Sequence, residues 1–300
     1  DSRRGTLSSS SFSRGTNIPA TAWPNGFNFF TPFTNGGSQG TLYEYQRANN
    51  ADNLPTLQAI GISHEPSIWM GDRDQLGIMP STSGTPNGDL TTRALAFSHS
   101  DEIARPDLYS VKFQNNLVTE VTPTDHGGIF RFQFPGTTGS VIVDRVGGTS
   151  SLSVAADGTV SGWTDGGSGS GVSRMFISGA FDKTPSAVGT AAGSRTGARY
   201  AAFSTTAVET VQLRLATSFI SAAQAKKNLD LEVTGKSFDD VNTAAANAWN
   251  DRLGVIDVEG ATANQLTTLY SNLYRMNLYP NSQFENTGTA GAPVYKHASP

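Results

Sequence analysis

The sequence predicts a mainly β protein, in which a large antiparallel β-sandwich is followed by helices. Charged residues make up only 15% of the 300 residues, below the share of about 25% that is typical of globular proteins. Before residue 218, short segments with an apolar residue at every second position recur between turn residues. After residue 218 the apolar spacing becomes three and four, which is the period of an amphipathic helix.

The alternating segments define six predicted strands. The residues predicted to share one face of each strand are Tyr109, Val111 and Phe113; Leu117, Thr119 and Val121; Phe130, Phe132 and Phe134; Val141 and Val143; Met175 and Ile177; and Val211, Leu213 and Leu215. Residues 16–32 carry aromatics, prolines and asparagines with almost no charge, so we expect a buried extended segment there. Residues 166–171 consist of Gly and Ser and are predicted to form a flexible loop. They do not form a phosphate-binding loop, because no Lys-Ser/Thr pair follows them.

Three helices are predicted in the last third of the chain. The first covers residues 221–232, the second begins after Ser237, and the third covers residues 262–278 and ends before Pro280. The apolar stripes of the second and third helices are Phe238, Val241, Ala245, Trp249 and Leu253, and Leu266, Leu269, Tyr270, Leu273 and Tyr274. Residues 255–258 read as a short strand between these helices. Either the sandwich or a further helical domain is expected to cover the stripes.

Composition excludes several classes of function. The net charge is -4, and 21 basic residues are scattered among 25 acidic ones, which argues against a nucleic-acid partner. The absence of cysteine excludes thiol catalysis, disulfides and thiolate metal sites. No apolar run approaches the roughly 18 to 20 residues of a membrane span. Because the sequence begins with Asp1 and shows no leader, we expect a processed or trimmed chain.

Residues 61–74 hold the densest group of polar and aromatic side chains and are predicted to form a loop. The candidates in it are His64, Glu65, Trp69, Asp72, Arg73 and Asp74. A Trp ring beside carboxylates is typical of sugar recognition, because the indole stacks on the apolar face of a pyranose while carboxylates accept hydrogen bonds from its hydroxyls. The same residues also fit a purely structural loop, with Trp69 in the core and Arg73 paired with Asp72 or Asp74. They form a poor metal site, because no second His stands at helical spacing and the calcium-loop pattern is incomplete.

The remaining histidines are weaker candidates. His99 is predicted to make structural hydrogen bonds, His126 lies in a predicted hairpin turn, and His297 lies in the C-terminal tail.

Five motifs in order make the chain resemble glycoside hydrolase family 92, the calcium-dependent exo-α-mannosidases of bacteria. They are the Asn-Ile-Pro-Ala and Pro-Asn-Gly-Phe runs at residues 17–20 and 24–27, the segment 61–80, Phe97-Ser98-His99 with the following strand 109–111, the run Ser-Phe-Ile-Ser-Ala-Ala-Gln-Ala-Lys-Lys-Asn-Leu at 218–229, and the stretch from Trp249 to Leu273-Tyr274-Arg275. Together they cover nearly the whole chain.

The resemblance implies an N-terminal β-sandwich at residues 1–217, a helical linker at 218–260 and the start of an (α/α)6 barrel at 261–300. Such enzymes place the active site between the two domains and invert stereochemistry, so their carboxylates stand about 6.5 to 9.5 Å apart. The general acid, the general base and the Ca2+ ligands are expected in the barrel, and therefore no catalytic or metal residue is expected in this chain. The implied partners are a mannose-containing glycan and the C-terminal domain of the same polypeptide, and the implied location is secreted or on the surface of a bacterial cell.

By the same resemblance the sandwich lines the leaving-group side of the pocket. Trp69 would stack on the sugar, His64 and Glu65 would support the loop, and Asp72 would hold the loop or bind hydroxyls. Gly26 and Phe27 are expected to reach the terminal mannose.

Three alternatives stay open. Arg73 could bind the phosphate of a mannose-1-phospho-6-mannose substrate in a bidentate manner, or it could simply pair with Asp72 or Asp74 on the surface. The sandwich could be a non-catalytic carbohydrate-binding module. Finally, Glu65 with Asp72 could supply catalytic carboxylates within this chain, although their loop spacing sets no definite separation.

Overall fold

The structure, a computed structural model, describes residues 1–7, 17–35, 42–47, 50–64, 76–145, 147–165, 174–206 and 209–298. The first nine strands are β1 (Thr21–Ala22), β2 (Phe29–Phe33), β3 (Thr56–Leu57), β4 (Ala59–Ser63), β5 (Leu76–Ser81), β6 (Leu95–Ala104), β7 (Tyr109–Phe113), β8 (Val118–Pro123) and β9 (Gly127–Gln133). The next nine are β10 (Thr138–Asp144), β11 (Ser150–Val154), β12 (Thr159–Thr164), β13 (Met175–Phe181), β14 (Ala187–Thr190), β15 (Arg199–Ser204), β16 (Thr210–Ser218), β17 (Glu285–Asn286) and β18 (Tyr295–Lys296).

Two large antiparallel sheets form the body of the protein. The first has the order β1-β2-β4-β5-β10-β15-β14, and the second has the order β11-β12-β13-β16-β9-β8-β7-β6-β3. One apolar core joins side chains of both sheets, among them Phe30 and Ile62 of the first and Phe130 and Leu213 of the second. The predicted antiparallel sandwich is therefore confirmed.

The alternating segments form strands as predicted. In β7, Tyr109, Val111 and Phe113 are buried, whereas Lys112 between them is exposed. In β10 the whole run from Gly139 to Asp144 is buried, because both faces of this central strand are covered. The short strands β1 and β3 have too few residues to show a period and were not predicted.

The N-terminal segment is buried and extended as expected. Phe30 of β2 points into the core between the sheets, and Phe29 and Phe33 belong to a second cluster on the outer face of the first sheet. The predicted loop at 61–74 needs correction at its start, because Gly61 to Ser63 belong to the buried strand β4. A Cβ atom on Gly61 would overlap the ring of Phe33, so this strand position requires glycine.

The three helices are α1 (Ala222–Glu232), α2 (Phe238–Leu253) and α3 (Ala263–Met276). Each begins directly after the residue predicted to start it, because the side chains of Ser221, Ser237 and Thr262 accept a hydrogen bond from a backbone N–H of the first turn. In α2 and α3 the third helical residue bonds back to the cap, which completes a capping box.

The helices cover the outer faces of the two sheets. Leu229, Phe238 and Val241 pack with Ile129 on the second sheet, and Trp249 and Tyr274 pack with residues of the first sheet. The indole of Trp249 also donates a hydrogen bond of 2.7 Å to the carbonyl of Ala22. The sandwich therefore covers the stripe of α2, whereas in α3 Tyr274 is the only buried residue.

The predicted strand at residues 255–258 is wrong. This stretch connects α2 to α3 in an exposed, irregular conformation, and Val255 is 73% exposed. No described strand pairs with it, so its β-branched residues have no cross-strand partners. In the tail, β17 and β18 form a two-stranded ribbon. Within the described part of the chain, no helix is long and apolar enough to cross a membrane.

Candidate functional site

His64 lies directly after β4 and is buried. Its Nδ1 lies 2.7 Å from the carbonyl oxygen of Phe27, and its Nε2 lies 3.2 Å from Oε1 of Gln283. The side-chain amide of Asn281 donates a 2.8 Å hydrogen bond to the His64 carbonyl. The imidazole therefore connects the approach to β2 with residues 281–286, a stretch that follows α3 and that we call the 281–286 segment.

A tight turn places Gly26 and Phe27 beside His64. The N–H of Gly26 donates to the carbonyl of Trp23 at 2.9 Å, and Asn25 adopts a φ of 53°. A Cβ atom on Gly26 would lie 2.9 Å from that carbonyl oxygen, so the turn leaves no room for a side chain. The N–H of Asn25 donates a 2.7 Å hydrogen bond to the carbonyl of Asn277, which connects the turn to the end of α3.

The ring of Phe27 lies between two imidazoles. Ring centroids are 4.0 Å apart for Phe27 and His64 and 4.7 Å apart for Phe27 and His126. The N–H of Phe27 donates a 2.7 Å hydrogen bond to Asp125, the residue before His126. The turn between β8 and β9 thus supports the same Phe27 that His64 supports from the other side.

The buried His126 forms an ion pair with the partly exposed Glu232, which joins that turn to the end of α1. His126 Nδ1 lies 2.6 Å from Oε1 of Glu232, and His126 Nε2 lies 3.0 Å from the carbonyl oxygen of Phe284. Burial alone would lower the pKa of His126, but the hydrogen bond and charge of Glu232, with Asp125, outweigh burial and raise it to about 9. Burial likewise opposes ionisation of Glu232, but the His126 hydrogen bond and charge hold its pKa below the usual value.

Glu285 anchors the 281–286 segment to α1 and is buried. Its Oε1 accepts a 2.9 Å hydrogen bond from the N–H of Phe219, and its Oε2 accepts a 2.8 Å bond from the amide of Asn228. Gln224 adds a 2.8 Å hydrogen bond from its amide to the carbonyl of Asn286. We use the name junction for the polar contacts between the sandwich, α1 and the 281–286 segment. The residues that make them are His64, Asp125, His126, Glu232 and Glu285.

The junction contains a group of possible metal ligands: Asp125, His126 and Glu232 offer atoms within 4.8 Å of one another. Both oxygens of Glu232 already accept hydrogen bonds, Oε2 from the hydroxyl of Thr124 at 2.7 Å and from the N–H of His126 at 2.8 Å. Ca2+ prefers a shell of about six to eight oxygens, whereas a charged imidazole occupies the centre of this group. The residues present therefore do not fit a calcium ion.

A cavity of about 610 Å³ opens beside the junction. Trp23, Asp125, Glu232, Lys236 and Asp240 are among the residues that line it. Asp240 is already bound in the capping box of α2, and Glu232 is bound to His126. The carboxylates of the junction are thus occupied with protein donors, which suits positioning more than proton transfer to a substrate.

The structure brings three of the predicted site residues together: Gly26, Phe27 and His64. The other four, Glu65, Trp69, Asp72 and Arg73, lie outside the described residues, as does Asp74, and their roles stay predictions. His99 makes the structural contacts that were predicted: its Nδ1 lies 2.7 Å from Oε2 of Glu102 and its Nε2 lies 2.6 Å from the carbonyl oxygen of Tyr45.

Sequence reasoning missed the junction. His126 was placed correctly in a hairpin turn, but Glu232 is 106 residues away along the chain. Glu285 and Gln283 lie in a stretch that is rich in Gly, Ala and Asn, and their spacing carries no pattern. A run of polar residues on the buried side of α1, Gln224 and Asn228, was the one available signal, because such residues need partners when they are buried.

Comparison with known families identifies the chain. A model of the glycosyl hydrolase family 92 N-terminal domain matches residues 1–218, and a model of the family 92 catalytic domain matches residues 224–299. The chain belongs to glycosyl hydrolase family 92. The sandwich is therefore the N-terminal domain of this family, and the helices with the 281–286 segment belong to the part matched by its catalytic domain.

Solved structures of family 92 share this architecture. A family 92 inverting mannosidase from Bacteroides thetaiotaomicron superposes with a TM-score of 0.85 at 31% identity, and the match covers 97% of this chain and 40% of that one. A family 92 α-mannosidase from the same organism superposes with a TM-score of 0.74 at 19% identity, covering 95% of this chain and 42% of the other, which supports the fold.

A curated relative is also similar. It is described as an uncharacterized secreted glycosidase of Arthroderma benhamiae and is 25% identical, with 73% of this chain and 35% of the relative covered. The chain thus spans well under half the length of the family 92 proteins it matches.

Proposed function

We propose that the chain is the N-terminal part of an inverting, calcium-dependent exo-α-mannosidase that hydrolyses terminal α-mannosides of glycans. The observation that carries this proposal is the junction: His64 of the family 92 sandwich contacts both Phe27 and Gln283, and Gln283 lies in the 281–286 segment of the catalytic-domain part. The similarity to a protein described as an inverting mannosidase supports the substrate class and the stereochemistry.

In this proposal the sandwich lines the leaving-group side of the pocket. Trp69 stacks on a sugar ring, Asp72 and Arg73 bind its polar groups, and Glu65 supports the segment that carries them. His64 directly precedes that segment and contacts Phe27 and Gln283, so it orients the Gly26 turn and the 281–286 segment relative to each other. Gly26 lets the backbone approach the terminal mannose because the turn has no side chain there.

Catalysis in the proposed enzyme needs two carboxylates about 6.5 to 9.5 Å apart, one protonating the leaving oxygen and one activating water on the opposite face of the sugar. The junction carboxylates Asp125, Glu232 and Glu285 accept protein hydrogen bonds, so we assign the acid and the base to the remainder of the catalytic domain. The Ca2+ ligands are assigned there as well, where the ion would orient the mannose hydroxyls. Export from the cell is proposed from the relative described as secreted.

The test uses the full-length protein with α-mannobiose and with an aryl α-mannoside. We expect mannose to be released one residue at a time, with the β-anomer appearing first in a proton NMR time course, and we expect a chelator to abolish the release. An aryl β-mannoside serves as the control substrate. Release of the α-anomer first would disprove inversion, and no hydrolysis of either α-mannoside would disprove the proposed activity.

A further inference from the structure

The environment of His126 assigns it a particular protonation state. Its two ring nitrogens face two acceptors, the carboxylate of Glu232 at 2.6 Å and the carbonyl oxygen of Phe284 at 3.0 Å. A neutral imidazole carries a single N–H and can donate to one of them, whereas an imidazolium donates to both. The geometry therefore calls for the charged ring at a site where the His126 side chain is 6% exposed.

These two hydrogen bonds join parts of the chain that are distant in sequence. Glu232 ends α1, Phe284 belongs to the 281–286 segment, and the ring of His126 packs against Phe27. The neighbouring Asp125 accepts the N–H of Phe27 at 2.7 Å. One imidazolium thus contacts the turn that carries Gly26, the end of α1 and the 281–286 segment.

We propose that His126 is a positioning residue whose imidazolium holds Phe27, α1 and the 281–286 segment in one arrangement, and that this arrangement loosens when the ring loses its proton. Loss of the proton removes one of the two donors, so either Glu232 or the Phe284 carbonyl must face a nitrogen lone pair. The shorter, charge-assisted bond to Glu232 is the one that persists, and hence the 281–286 segment is the part that is released.

The charged groups around the ring are consistent with this role. Asp125 on the same turn lies 3.6 Å from Nδ1, and Glu232 lies on α1. Glu285 in the 281–286 segment is engaged by Phe219 and Asn228. Lys236 and Asp240 line the cavity beside Glu232, and His64 lies across the ring of Phe27.

The direction of the pH dependence follows from the raised pKa of His126, about 9 against an ordinary value of 6.5. A group whose pKa is raised by folding contributes its full stabilisation below its unfolded pKa and loses it as the pH rises through the folded pKa. The contribution of His126 is therefore complete below about pH 6.5 and is lost as the pH rises through about 9.

The experiment is hydrogen–deuterium exchange of the full-length protein at about pH 6 and about pH 10, corrected for intrinsic exchange rates. Peptides covering residues 219–233 and 281–286 are compared with one covering β10. In the parent, protection at 281–286 is expected to fall at least about tenfold relative to β10, since each pKa unit corresponds to about a tenfold change in population. His126→Gln and Glu232→Gln should both be less protected at pH 6 and should show little further change at pH 10.

His297→Gln removes an exposed histidine of the tail and should behave like the parent. The proposal is overturned if the parent shows no loss at 281–286 relative to β10, or if His126→Gln matches the parent. If His126→Gln does not fold, Glu232→Gln decides: a parent-like response to pH would show that another group titrates.

A kinetic readout rests on the proposed function. For an α-mannoside, the KM of the parent should rise between about pH 7 and pH 9.5, whereas the KM of His126→Gln should already be high and change less. A parent-like KM profile in that variant counts against the positioning role. A protein that hydrolyses no α-mannoside but shows the expected exchange pattern would contradict the proposed function while leaving the role of His126 intact.

Discussion

His64 and Phe27 are joined twice, by a 2.7 Å contact from Nδ1 to the Phe27 carbonyl and by ring packing with centroids 4.0 Å apart. The two residues come from different predicted site regions, 37 positions apart in the chain. Their contact links the Gly26 turn to the residue that precedes the segment with Trp69. A substitution that displaces either residue is therefore expected to displace the other residue and the region that carries it.

His64→Ala should weaken both the fold and the proposed activity. The change leaves the buried Phe27 carbonyl without its partner, which costs about 1–3 kcal/mol in free energy of unfolding. We also expect kcat/KM for an α-mannoside to fall at least about tenfold, or about 1.4 kcal/mol. Urea unfolding and steady-state kinetics of the full-length protein measure the two effects. His297→Ala is the control, and equal values for the two variants would contradict the role given to His64.

Gly26→Ala should destabilise the turn, because the new Cβ atom would lie 2.8 Å from Cβ and 2.9 Å from the carbonyl oxygen of Trp23. Relief of such overlap typically costs about 1–3 kcal/mol. Gly136→Ala is a matched control, since no atom lies within 4 Å of its added Cβ, and it should stay within about 0.5 kcal/mol of the parent. Thermal and urea unfolding compare the two. Equal stability of both variants would show that the turn is free to adjust.

Trp69→Ala tests the predicted stacking platform. Loss of the indole should raise KM for α-mannobiose about tenfold or more, equivalent to about 1.4 kcal/mol, with a smaller effect on stability. Trp163→Ala is the control because Trp163 lies on β12 of the second sheet, where its ring packs against the guanidinium of Arg174 at 4.0 Å. An unchanged KM in Trp69→Ala would remove this residue from the site.

Arg73→Ala separates two substrates. If Arg73 binds a phosphate at the leaving group, kcat/KM for a mannosyl phosphodiester should fall about a hundredfold, roughly 2.7 kcal/mol, while hydrolysis of α-mannobiose changes little. Parallel assays of both substrates with the full-length protein provide the measurement. Equal losses on the two substrates would exclude a phosphate-binding role and would favour an ion pair of Arg73 with Asp72 or Asp74.

The secondary structure was largely predictable because it depends on local patterns. The caps Ser221, Ser237 and Thr262 act within one helical turn, so the sequence marks them directly. Two predictions failed, the loop at Gly61 to Ser63, which is part of β4, and the strand at residues 255–258. The second failed because β-branched residues favour a strand only where a neighbouring strand exists, and the tertiary fold decides which strands are neighbours.

The candidate site was predictable in part. The family motifs identify His64, Gly26 and Phe27, and the structure shows that His64 contacts Phe27, the residue after Gly26. They do not reveal His126 with Glu232 or Glu285 with Asn228, because each pair joins residues far apart in the chain. A buried charge is tolerable only beside its partner, and no periodicity in a sequence records which partner folding brings near.

The sequence by itself therefore determined the sandwich, the helices that follow it and the membership of family 92, since these depend on apolar periodicity, capping residues and ordered motifs. Only the tertiary structure decided how the parts are joined. The packing of the β8–β9 turn against α1 and the 281–286 segment brings an imidazole, a carboxylate and a carbonyl within hydrogen-bonding distance. Such contacts cost chain entropy to assemble, and the packed sheets and helices around them supply the stabilisation that offsets it.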